Sequence, residues 1–125
     1  MPAARKRTLT TEAKMAREIK FRAWVNNHDA IHFSADAGID QLIEWVNRYG
    51  GQVMQFTGLK DRNGKEIYEG DILKSNTIDG KPCVVAYETL HARFLCGSGL
   101  VMIAPHHWVE RVIIGNIYEN PELLH

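Results

Sequence analysis

The run Asp61-Arg62-Asn63-Gly64 constrains this chain more than any other stretch, because it dictates a reversal of the backbone. Gly64 can enter the left-handed region without a Cβ penalty, so the run suits a type I turn closed by glycine. Gln52 to Thr57 leads into the turn as one short strand, and Glu66 to Glu69 leaves it as the next. Gly70-Asp71 makes a second tight corner before Ile72-Leu73-Lys74. Turns this closely spaced break the centre of the chain into short extended segments.

The flanks follow the same period. Ile19 to Val25 alternates, with Ile19, Phe21, Ala23 and Val25 on one face and Lys20, Arg22 and Trp24 on the other, as a half-buried strand does. Asn26-Asn27-His28-Asp29 is a turn cluster, and Ala30 to Ser34 returns as the second arm of a hairpin. Only Ala37 to Tyr49 changes period. Ile39, Leu42, Ile43, Val46 and Tyr49 recur at spacings of three and four, which predicts an amphipathic helix. Asp36 is its expected N-cap, and Gly50-Gly51 ends it. Further on, Cys83 to Tyr87 reads as a buried strand. Ala92 to Cys96 and Leu100 to Ala104 form a hairpin around Gly97-Ser98-Gly99, and Trp108 to Ile114 is the last strand. Asn116 to His125 is a tail anchored by Ile117, Tyr118 and Leu123. The sum is a mainly β fold, a small barrel or sandwich of short antiparallel strands with one helix at 37–49.

At 125 residues the chain suits a single domain, expected over 15–125, preceded by a flexible basic arm over 1–14 that holds Arg5, Lys6 and Arg7. An apolar fraction of 45% supports one hydrophobic core. Lysine plus arginine equals aspartate plus glutamate at 15 each, so global charge draws in no polyanion. No apolar run is long enough for a membrane span and no secretory h-region follows the basic start, which points to the cytoplasm. Cys83 and Cys96 are not spaced as a metal or redox motif, and two reduced, packed thiols are expected.

Catalytic patterns are missing. The charges of Lys60, Asp61, Arg62, Lys65, Glu66, Glu69 and Asp71 alternate in sign around tight turns, as a solvated hairpin requires, and do not pair as acid and base. His106 and His107 point to opposite faces if extended, which disfavours a shared metal. His28, His32 and His91 could meet only through the fold. The glycine pairs lack the residues that complete a phosphate loop or nucleophile elbow. No cofactor, metal or catalytic residue is expected. Two binding surfaces are candidates. Arg5, Lys6, Arg7, Lys20, Arg22 and Trp24 combine positive charge with a stacking ring, a nucleic-acid pattern. Tyr68 and Tyr118, each in an Ile-Tyr-Glu context, are candidate anchors for a protein partner.

Three stretches together resemble the YopX family. They are Met15 to Trp24, Met54 to Ile72 and Ile114 to Leu124, in the family's order. The resemblance implies a mainly β protein encoded by a phage, a prophage or another mobile element, with homo-oligomeric assembly. It supplies no reaction. Asn26 to Gly51 is where such proteins vary, and the arm before Met15 is longer than the usual family start. The expected function is a non-enzymatic accessory module that binds a host or phage protein or self-associates, with no membrane partner. Nucleic-acid binding through the basic arm and the Lys20/Arg22/Trp24 face is the alternative.

Overall fold

The structure, a computed structural model, describes residues 18–75, 81–98, 101–103 and 105–124. The arm expected over 1–14, with Arg5, Lys6 and Arg7, lies outside the described residues.

The opening hairpin forms, shorter than its period predicts: Ile19 is 69% exposed and lies outside the first strand, and Ser34 belongs to the helical turn that follows the second. Strand β1 (Phe21–Val25) pairs antiparallel with β2 (Ala30–Phe33), with Val25 opposite Ala30. A single helical turn α1 (Ser34–Ala37) precedes helix α2 (Ile39–Tyr49). The helix therefore starts two residues later than its periodicity suggests. Gly38, at φ +84°, breaks the two apart and takes the N-cap place, so Asp36 caps nothing. Leu42 is fully buried against Ala23 and Val25, and Ile39, Trp45 and Val46 pack around them. The helix ends at Gly50, whose N–H bonds Val46 O.

Strand β3 (Gly51–Lys60) is longer than the run Gln52–Thr57. Its first half pairs with β1 and its second with β4 (Glu66–Tyr68), across a register shift between Phe56 and Lys60. A Cβ at Gly51 would lie 2.0 Å from Trp24 O, so this close pairing requires glycine. The first sheet has the order β2-β1-β3-β4.

A second sheet has the order β8-β7-β6-β5-β9. It is built from β5 (Asp71–Lys74), β6 (Cys83–Glu88), β7 (Arg93–Ser98), β8 (Val101–Ile103) and β9 (Val112–Asn116). All its pairs are antiparallel. Ile67 from the first sheet completes its core with Leu73, Cys83, Val85, Cys96 and Trp108. The fold is mainly β, as expected.

Three expectations change. Trp108 to Glu110 is not strand: Pro105–Glu110 forms a 3-10 helix, and β9 begins only at Val112. Proline presets its own φ for a helical first turn. The coil lets Trp108 fill the core completely while its indole Nε1–H donates to Ile103 O at 3.1 Å. Cys83 and Cys96 are not free thiols. They lie on neighbouring strands with Cα atoms 5.5 Å apart and are disulfide-bonded. Finally, the polar face of β1 is partly covered: Arg22 is buried beside Tyr68, Glu69 and Asp71, and Trp24 is half-buried against Tyr118.

The disulfide closes a loop of sequence separation 13. Loop entropy of that size is worth about 3 kcal/mol. Cys83→Ala/Cys96→Ala is expected to lose about that much unfolding free energy. Denaturant unfolding with and without reductant checks this, since reduced wild type should match the variant.

Candidate partner-binding groove and the seam behind it

The expected turn forms. Gly64 N–H bonds Asp61 O at 2.9 Å and Gly64 sits at φ +81°. The Asp61 side chain does more than a turn requires. Its Oδ1 accepts from Asn63 N at 2.8 Å and Lys65 N at 2.9 Å, and its Oδ2 accepts from Ile113 N at 2.9 Å. Arg62 N–H donates to Arg111 O at 2.8 Å. The hairpin tip of the first sheet is thereby clasped to the start of β9 in the second.

The next corner makes a second tie. Arg22 on β1 is only 6% exposed. Its Nη2 donates to Asp71 Oδ1 at 2.8 Å and to Glu69 O at 3.1 Å. Asp71 Oδ2 accepts from Tyr68 N at 2.8 Å, and the guanidinium lies 4.8 Å from the Tyr68 ring centroid. Burial pushes the Asp71 carboxyl above its ordinary value, and the Arg22 charge beside it and the Tyr68 N–H offset only part of that rise. The ion pair thus joins β1 of one sheet to β5 of the other. Arg22 Nε, with Arg111 Nε and Nη1, is buried without an acceptor among the described residues.

These ties decide where the expected contact residues go. Lys20 is ion-paired with Glu18 and Glu66, which hold its ammonium well above the usual lysine range, and it sits over the Phe56 ring. Trp24 is half-buried and stacks on Tyr118, with centroids 6.1 Å apart. Tyr68 is 4% exposed, packs on Phe56 and Phe33, and has its phenol pushed up by burial. Tyr118 is half-buried, and burial raises its phenol too. The structure brings Lys20, Arg22, Trp24, Tyr68 and Tyr118 together, as an internal network rather than an open face.

The open surface lies on the far side of β3. A groove of about 530 Å³ runs between β3 and the β6–β7 hairpin, lined by Gln55, Thr57, Glu69, Tyr87, Ala92, Arg93 and Phe94. Tyr87 and Phe94 face each other across the hairpin, rings edge to face at 5.3 Å. Glu69 Oε1 accepts from Gln55 N at 2.8 Å, which fixes the opposite wall. Glu88 holds Arg93 Nε at 2.9 Å and also pairs with His91. The Glu88 carboxyl is pulled below its usual range by Arg93 first and His91 second. Leu90, at the hairpin tip, is 83% exposed, and Tyr87 is 46% exposed. Two aromatic rings flanked by an amide, a hydroxyl, a carboxylate and a guanidinium give the groove a mixed, mainly polar lining. No contiguous sequence signal marks it: Tyr87 and Phe94 each have one charged and one apolar neighbour.

A family model described as YopX protein matches residues 14–125. The chain belongs to the YopX family. Its central signature, Met54 to Ile72, is the segment that carries both ties, running through β3, the clasped turn, β4 and the corner into β5. Among solved structures the chain is similar to protein EF1440 from Enterococcus faecalis, with a TM-score of 0.61 and 24% identity over 88% of this chain and 100% of that one. A likeness at that identity concerns the fold alone. No curated protein matches the chain. No described helix is long and apolar enough to cross a membrane.

Removing one partner of a buried ion pair strands the other charge. Arg22→Met is expected to cost about 3–5 kcal/mol. Arg22→Met/Asp71→Asn should recover a substantial part of that loss, and chemical denaturation of the single and double variants measures both values.

Proposed function

We propose that this YopX-family chain is a non-enzymatic accessory module of a phage or prophage that binds a protein partner through the groove between β3 and the β6–β7 hairpin. One observation carries the reading: the exposed ring of Tyr87 stands in a groove lining of mixed polarity, and Leu90 is exposed three residues further on, at the tip of the same hairpin. Burying a leucine side chain is worth about 1.5–3 kcal/mol, and an edge-to-face aromatic pair adds about 0.5–1.5 kcal/mol. The lining residues bring no histidine or cysteine to the cleft, the Thr57 hydroxyl donates to Ile67 O at 2.8 Å, and the single carboxylate has one oxygen committed to a backbone N–H. Such a cleft can hold a ligand firmly while offering little to split a bond. Self-association through the same apolar tip is the homotypic version of this reading.

A second reading has one observation in its favour. Lys60, Arg62 and Lys65 are all exposed around the signature turn, and none is ion-paired among the described residues. They are better placed for phosphate contact than Lys20 and Arg22, whose charges are spent internally.

Affinity capture from host extract separates the two. Wild type is expected to retain a defined protein whether or not nuclease is present. Tyr87→Ser/Leu90→Ser, which alters only exposed positions, should weaken that retention at least about tenfold, the equivalent of one buried leucine. Retention untouched by the double variant contradicts the groove, and loss of all retained material after nuclease favours the second reading.

A further inference from the structure

Away from the groove, four rings gather where the β1–β2 hairpin meets α2. His28 lies in the turn and His32 on β2, while Trp45 and Tyr49 come from successive turns of the helix. The turn is tightly held: Asn27 and Asp29 take positive φ of 72° and 51°, and the N–H groups of His28 and Asp29 both donate to Val25 O at 3.2 Å. The hairpin register fixes His32 opposite Ala23. Trp45 contacts both imidazoles, at 5.1 Å from His28 and 4.8 Å from His32, and Tyr49 lies 5.3 Å from His28. Both histidines are half-buried. Their rings are thus positioned by packing on three sides.

The result is a convergence of donor atoms. His28 Nδ1 and His32 Nε2 are 3.0 Å apart. Ligand bonds of about 2.0–2.1 Å place two nitrogens about 3.3 Å apart at a tetrahedral angle and about 2.9 Å apart at a square-planar one. The observed separation falls between these values. The geometry points to a two-imidazole site for a divalent transition-metal cation of the zinc–copper class, formed by His28 Nδ1 and His32 Nε2.

Without metal, one of the facing nitrogens carries a proton and donates it to the other. Metal binding needs both lone pairs, so the donating ring moves that proton through solvent to its outer nitrogen and stays neutral. No group of three or more His, Cys, Asp or Glu is arranged to hold a metal among the described residues, so water fills the remaining positions. That composition makes an exchangeable site rather than a four-ligand structural one. Trp45, in contact with both rings, is a built-in reporter.

The test titrates the chelator-washed full chain with CuCl2 and, separately, ZnCl2 at neutral pH, following tryptophan fluorescence and free metal by equilibrium dialysis. One ion should bind per chain at this site, with copper quenching the fluorescence. His28→Gln and His32→Gln should each weaken binding at least about tenfold. The double variant should be little worse than either, since the first loss already dismantles the pair. Trp45→Phe should lose most of the quench. A readout on wild type guards against misfolded variants: Zn2+ should shift the imidazole nitrogen resonances of both His28 and His32. Binding that survives in folded His32→Gln, or resonances of the two rings that stay put at saturating zinc, overturns the proposal.

Discussion

Asp61 sets the relation between the two sheets. A carboxylate that accepts three backbone N–H groups makes charge-assisted bonds in a fixed geometry. Two of the three are local and shape the turn. The third reaches Ile113, a residue 52 positions away in sequence, at the start of an edge strand in the other sheet. The turn can therefore adopt its shape alone, but its carboxylate is satisfied only when β9 has docked. Local and global structure agree at this residue, which is the condition for a single well-defined fold. The Arg22–Asp71 pair repeats the arrangement one corner later, and Ile67, between the two ties, buries itself in the second sheet's core.

Much of this was legible in the sequence, and the illegible parts share a cause. Period two in Ile19 to Val25, the Asn26–Asp29 turn, the glycine-closed turn at Gly64 and the helix ending at Gly50 are local effects, and each forms close to where its residues indicate, the strand from Phe21 on. Arg22 looked like solvent-facing charge because alternation reports which residues share a face, not what covers it. Its cover comes from Tyr68 and Asp71, more than forty residues later. The same limit hid the disulfide: spacing alone does not show that β6 and β7 place Cys83 and Cys96 side by side. The β-branched neighbours of Trp108 predict strand, but Pro105–Glu110 winds into a 3-10 helix that buries the whole indole in the core.

The candidate groove illustrates the other kind of gap. Its lining comes from β3, the corner after β4 and the β6–β7 hairpin, so no contiguous motif encodes it. The signature that does stand out in sequence supplies one wall, Gln55, Thr57 and Glu69, and its two ties fasten that wall to the second sheet. The histidine pair was visible only as residues that the fold had to bring together. The fold joined His28 to His32 and left His91 with Glu88.

The claim that Asp61 fastens the sheets is tested most directly by native-state amide hydrogen exchange in Asp61→Asn. Asparagine can keep Oδ1 as an acceptor for Asn63 and Lys65, while its amide sets a donor against the N–H of Ile113. The Ile113 amide and its neighbours in β9 are expected to lose protection by a large factor while the Asn63 and Lys65 amides change little. Unchanged protection at Ile113 in a folded Asp61→Asn would contradict it.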